Sequence, residues 1–202
     1  MSTETRKYEK RLRAQKEAET RQRITEAAVA LHGTVGPAQT SLSAVAERAG
    51  VQRATLYRHF PNEEALFEAC STHYMALNPP PDPSPWARID DPDGRLRAAL
   101  DSLYSWYERV EPMFNNVTRD VALVPAMRGA TERRLAFLST VREILMRGRR
   151  ERGAARRHVR AAVGHALAFE TWRSLAREQG LSRRAAVEVM LGMVAATDSD
   201  RR

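Results

Sequence analysis

The chain has 202 residues and 33 basic against 25 acidic side chains, a formal net charge of +8. A single cysteine, Cys70, excludes a disulfide framework and any thiolate-cluster metal site. No run of about 18 uncharged apolar residues occurs, so no membrane span is expected, and the opening MSTETRKYEKRLRAQKEAETRQR lacks the apolar stretch of a signal peptide. These features point to a soluble protein of a reducing compartment, the cytoplasm. The positive balance suits a polyanionic partner but names none.

Strand signals are almost absent and helical periodicity runs throughout, so the expected fold is all-α. The first helix is expected over 5–34, with Ile24, Ala27, Ala28 and Leu31 as its apolar stripe. Ahead of that stripe, residues 4–23 carry eight basic and four acidic side chains. Segment 1–20 reads either as a solvated extension or as a basic arm that adds phosphate or minor-groove contacts. Gly36-Pro37 ends the helix. Short helices follow at about 41–48 and 52–58, joined by a turn at Gly50. Pro61 breaks the chain, and Asn62 is a good N-cap for a helix from 63 to about 77. Glu63 and Glu64 then occupy its first turn, where the helix dipole favours negative charge.

Residues 78–93, NPPPDPSPWARIDDPD, contain six prolines and read as a stiff connector. Helices are expected beyond it at 95–110, 112–123, 128–148, 154–178 and 182–197. The expected domains are a basic extension at 1–20, a small three-helix domain at 21–69 and a larger helical domain at 70–202.

The segment that carries chemistry is TSLSAVAERAGVQRATLYRHFPNEEAL, residues 40–66. Two short helices around a glycine turn form a helix-turn-helix pattern. Leu42, Val45, Ala46, Ala49, Val51, Leu56 and Phe60 can make a mini-core. The second helix then turns Gln52, Arg53, Thr55, Tyr57, Arg58 and His59 outward, a set of donors suited to phosphates and base edges.

The order AERAGV, ATLYRHFP and EEAL resembles the DNA-binding domain of the TetR/AcrR family of bacterial transcriptional regulators. The resemblance covers about 21–69, and beyond it the match is architectural. It implies double-stranded operator DNA as the partner and no catalytic, metal or cofactor site. Carried over by position, Ser41 and Ser43 match residues that contact the DNA backbone. Gln52, Arg53, Ala54 and Thr55 match the exposed first turn of the recognition helix. Tyr57 and His59 match phosphate contacts, with Arg58 between them facing a guanine edge or a phosphate. Two departures stand out: Glu63 replaces a common phosphate-binding Lys, and Gln52 replaces a better-capping Ser. The first should weaken backbone affinity unless the N-terminal arm compensates.

The last two expected helices, 154–178 and 182–197, are the most apolar part of the chain. Helices apolar on more than one face need two burial partners, either a deeper monomer core or a second subunit. The family resemblance implies a homodimer through these helices, and with it a pseudo-palindromic operator. It also implies a small-molecule inducer site among the central helices. Candidate lining residues are Trp106, Tyr107, Met113, Phe114, Asn116, Arg119, Asp120, Phe137, Val141, Phe169 and Trp172, although aromatics at helical spacing also serve as plain core. The Arg-rich stretch 147–160, with seven Arg against Glu151 alone, reads as a solvated connector or as an attractor of anions.

Enzyme chemistry finds no support. The histidines at 32, 59, 73, 158 and 165 form no chelating pair, and there is no Gly-rich phosphate loop, GxSxG or Cys–His nucleophile pattern. The expected function is a DNA-binding regulator, read as a repressor released by a ligand. The alternatives are a regulator without an inducer, or a helical protein-interaction module.

Overall fold

A computed structural model describes residues 3–197. The first two residues of the expected extension and the last five of the expected C-terminal domain lie outside the described residues. Among the described residues there are nine α-helices and no strand: α1 Thr3–Thr34, α2 Leu42–Arg48, α3 Arg53–His59, α4 Glu63–Leu77, α5 Pro92–Asp120, α6 Arg128–Met146, α7 Gly153–Ala166, α8 Phe169–Arg173 and α9 Arg183–Ala196. The chain forms two compact units. One comprises Met1–Asn78 with Pro112–Thr131, the other Pro79–Glu111 with Glu132–Arg202.

The first unit is built on α1–α4. Ile24 and Ala28 of α1, Val45 of α2, Leu56 of α3 and Phe60 are fully or almost fully buried together. Capping sets the boundaries of the short helices. The Ser41 hydroxyl accepts from the Ala44 amide at 3.1 Å to start α2, and the Asn62 side chain accepts from the Ala65 amide at 2.8 Å to start α4. Gly50 supplies the turn between α2 and α3 at φ 65°, a left-handed conformation that favours glycine.

Residues 112–131 complete this unit. The Asp120 carboxylate accepts from the Ala38 amide at 3.0 Å. Arg119 donates to the Val35 carbonyl at 3.0 Å, and the Asn116 amide donates to the His32 carbonyl at 3.0 Å. Gly36 sits under this cluster at φ 96°. A Cβ there would run into the Arg119 guanidinium and the Asp120 carboxylate, so both backbone and space demand glycine. Met127, with Val117, Val121 and Val124, packs on the α1–α4 core.

Two expected element boundaries need correction. The helices expected at 95–110 and 112–123 are one, because α5 runs unbroken from Pro92 to Asp120 with Pro112 inside it. The proline forfeits the amide that would bond the Glu108 carbonyl, at about 3 kcal/mol. Burial of the next two residues, Met113 and Phe114, is worth about 1.5–3 kcal/mol each and offsets it. The single helix expected at 154–178 is divided after Ala166. There the Tyr104 hydroxyl donates to the Ala166 carbonyl at 2.8 Å and the Tyr107 hydroxyl to the Leu167 carbonyl at 2.7 Å, so α5 side chains occupy acceptors at the break. The chain resumes as α8, followed by a π-helical turn over Ser174–Glu178.

The second unit is fastened by Arg95, which is 5% exposed. Its guanidinium donates to the carbonyls of Ile89 at 2.8 Å, Ile144 at 3.0 Å, Arg147 at 2.6 Å and Asp90 at 3.1 Å. One side chain thereby closes the end of α6 and holds the loop before α5. The connector is only partly extended, since Trp86–Arg88 form a 3₁₀ turn that buries Trp86. All three tryptophans, Trp86, Trp106 and Trp172, are buried in this unit. Part of the Arg-rich stretch is structural: Arg149 is buried against Asp93 at 3.2 Å and Glu151 at 3.7 Å, and Arg160 pairs with Glu143.

Candidate nucleic-acid interface

Hydrophobic spacing decides which way α3 faces. Leu56 and Phe60, four residues apart, are buried at 1% and 0% exposure. The opposite face then carries Gln52, Arg53, Ala54, Tyr57 and Arg58, all exposed, with Thr55 and His59 at its edges. Ser41 and Ser43 are exposed on α2. The Ser41 hydroxyl already accepts its capping bond, so its proton is free to be donated.

The side chains on α3 are partly organised. The Arg53 guanidinium approaches the Tyr57 hydroxyl at 3.5 Å and lies 6.0 Å from the centroid of its ring. His59 is held below its ordinary pKa by desolvation and by the neighbouring Arg58 charge, so near neutral pH it is an uncharged hydrogen-bonding group. The end of α3 is fixed from α1: Arg21 donates to the His59 carbonyl at 2.7 Å, and its guanidinium lies 4.1 Å from the centroid of the Phe60 ring. Sequence reasoning missed Arg21, because nothing local marks a contact 38 residues away.

The inducer-site candidates fall into two sets. Trp106, Tyr107, Phe169 and Trp172 form one buried ring cluster, with Tyr107 centroids 5.4, 5.3 and 5.8 Å from those of Trp106, Phe169 and Trp172. Burial raises the Tyr107 hydroxyl pKa far above its ordinary value. The Trp172 indole N–H is buried without an acceptor. Phe137 and Val141 lie on α6 in the same unit, Val141 fully buried and Phe137 half-buried. Met113, Phe114, Asn116, Arg119 and Asp120 belong instead to the first unit. There Asn116, Arg119 and Asp120 spend polar groups on the backbone at 32–38. A surface groove of about 410 Å³ in the second unit is lined by Asp91, Asp93, Arg97, Glu188 and Leu191 among others, and by none of the aromatic candidates. Among the described residues no cluster of His, Cys, Asp and Glu can hold a metal.

Residues 24–70 match the family model described as bacterial regulatory proteins, tetR family. No curated protein matches in sequence. In fold, the chain is similar to a TetR-like transcriptional regulator from Rhodococcus sp. RHA1, with TM-score 0.61 and 17% identity over 87% of this chain and 93% of that one. It is also similar to NalD, the secondary repressor of the MexAB-OprM multidrug efflux pump in Pseudomonas aeruginosa, with TM-score 0.56 and 22% identity over 90% and 96%. A third is the fatty acid degradation regulator FadR from Bacillus halodurans, with TM-score 0.54 and 17% identity over 91% and 96%.

Proposed function

We propose that the chain is a DNA-binding transcriptional regulator of the tetR type that works as a homodimeric repressor released from a pseudo-palindromic operator by a small molecule; the match of residues 24–70 to the tetR family model and the likeness in fold to TetR-like regulators support this reading. The observation that carries this reading is the outward face of α3. Arg53, Tyr57 and Arg58 project to solvent from a helix whose other side is locked by Leu56 and Phe60. A seven-residue helix so presented enters a major groove through its N-terminal turn, with Gln52, Arg53, Ala54 and Thr55 leading. Ser41, Ser43, Tyr57 and His59 bond phosphates and fix the register, while Arg58 bonds a guanine edge.

Dimerisation is favoured by the surfaces of α7 and α9. Val189 and Met193, one turn apart on α9, are 41% and 46% exposed, and Ala154 and Ala161 are exposed on α7. A C₂ pair through these helices would present two copies of α3 to one duplex. The inducer is an apolar or aromatic compound carrying an acceptor. Its site is the Trp106, Tyr107, Phe169 and Trp172 cluster, and the unpartnered Trp172 N–H supplies a ready donor. Such a ligand lowers DNA affinity only by its differential affinity for the two states.

The test is binding of the full chain to duplexes selected from a random pool, with footprinting and a salt titration. A symmetric footprint and a steep fall of log K with log salt are expected. Arg58→Ala should relax preference at one base pair per half-site, by about 1–3 kcal/mol. Equal affinity of the wild type for selected and unrelated DNA would overturn the reading.

A further inference from the structure

The family-matched segment 24–70 is not basic. It holds Arg48, Arg53 and Arg58 against Glu26, Glu47, Glu63, Glu64 and Glu68, three against five, a net of −2. A polyanion gains little from approaching that segment as a whole. The preceding stretch 4–23 holds eight basic against four acidic side chains, a net of +4, and all three lysines of the chain, at 7, 10 and 16, lie in it. This stretch is not a loose tail. It is helical and continuous with the rest of α1, and every side chain from residue 4 to 19 is exposed.

The charge on this helical arm is sorted by face. At about 100° per residue, Arg6, Lys7, Lys10, Arg11 and Arg13 fall within one arc of about 160°. Tyr8, Glu9, Leu12, Gln15, Lys16 and Glu19 occupy the remainder. Glu17 is the one acid inside the basic arc. Arg21 lies near the middle of that arc, and its contacts fix where the arc points: Arg21 bonds the His59 carbonyl and covers the Phe60 ring at the end of α3. The basic arc therefore faces the side of the domain that carries the recognition helix.

Resting on the DNA-binding reading above, we propose that the basic arc of the α1 arm binds the phosphate backbone of duplex DNA flanking the α3 footprint. It supplies the attraction that the −2 domain lacks. A helix about 10–12 Å across with its side chains does not fit a minor groove about 6 Å wide, so the arm lies along phosphates and does not read the minor groove. From Arg6 to Arg21 it spans about 22 Å, the axial length of some six base pairs at about 3.4 Å per step.

The experiment compares full-length wild type with the triple variant Arg6→Gln, Lys10→Gln, Arg13→Gln and with Lys16→Gln from the opposite face. Each is titrated against salt on a duplex selected from a random pool by the wild type and on an unrelated duplex of equal length. Circular dichroism checks that the helix is retained. For the triple variant, the slope of log K against log salt is expected to lose about 2.7, at 0.9 per phosphate contact. The loss should be equal on both duplexes, with Lys16→Gln unchanged. An unchanged slope in a helical triple variant overturns the proposal. So does a loss confined to the selected duplex, or a loss from Lys16→Gln as large as one third of the triple. If the wild type shows no preference for the selected duplex, the specific-regulator reading fails, while the arm is still tested on either duplex.

Discussion

His32 shows how one side chain links packing to pH. Its ring stacks on Phe67 with centroids 5.0 Å apart, and its Nδ1 lies 3.6 Å from the Cys70 Sγ. Burial pulls its pKa down to about 4 against a smaller opposing pull from Asp120. The folded chain therefore keeps His32 neutral where the unfolded chain protonates it. The stability it contributes is complete above the unfolded pKa of 6.5 and is lost as pH falls towards 4. The slope is at most about 1.4 kcal/mol per pH unit. His59, also lowered, adds a smaller slope of the same sign. Urea midpoints at pH 7 and pH 5 should drop more for wild type than for His32→Gln; equal drops would refute the assignment. Burial pushes the neighbouring Cys70 thiol up to about 12, which leaves it protonated and unreactive in the native state. Little of this was legible in the sequence. The α3 face was, because it follows from a local period around Leu56 and Phe60. Asn116, Arg119 and Asp120 read as pocket residues because their partners, 82 to 84 residues away, leave no local signal.

At the scale of elements, local rules succeeded where capping decides and failed where tertiary contacts do. Gly50 and Asn62 each mark an expected boundary that is observed, Gly50 through its own φ and Asn62 through its own side chain. Pro112 and the break after Ala166 went the other way. The first is overridden by buried neighbours, and the second is stabilised by two tyrosine hydroxyls from α5. Arg95 belongs with these long-range devices. Replacing it by Met keeps most of its length and removes its bonds to four carbonyls, two of them at the end of α6, of which the Ile144 carbonyl keeps the Arg147 amide at 3.2 Å. Leaving buried acceptors unpaired costs about 1–3 kcal/mol each, and some will recover water. Arg95→Met should therefore lose about 3 kcal/mol in denaturant unfolding, and Arg95→Lys nearly as much, since an ammonium lacks the fork that reaches several carbonyls. A loss under about 0.5 kcal/mol would show that the bonds are dispensable.

At the scale of the whole molecule, the +8 balance resolves into parts with different duties. Some of the Arg-rich stretch is absorbed by Asp93, Glu151 and Glu143. Arg97, Arg177 and Arg183 pair with Glu188, Glu111 and with Asp101 and Glu108 on the surface of the second unit. Such exposed pairs contribute little stability each. The composition pointed towards a polyanion, but placement and not the total decides where one would bind. The proposed dimer is tested at this scale. Met193→Asp puts a charge in the middle of the exposed apolar strip of α9 and should leave the fold intact, because Met193 is 46% exposed in the single chain. Sedimentation should then report a monomer, and the footprint should weaken on both half-sites together. A dimer that survives Met193→Asp unchanged would place the interface elsewhere.

The position of the tryptophans gives the molecule a built-in optical division. Trp86, Trp106 and Trp172 all belong to the second unit, so the aromatic fluorophores of the first are Tyr8, Tyr57, Tyr74 and its phenylalanines. Under excitation that tryptophan alone absorbs, emission follows the second unit and is blind to the first, whereas far-ultraviolet dichroism sums the helices of both. Two melting curves recorded on one intact sample will coincide only if the units unfold together. Any offset between them measures how far the first unit melts independently, without a cut or a label in the chain.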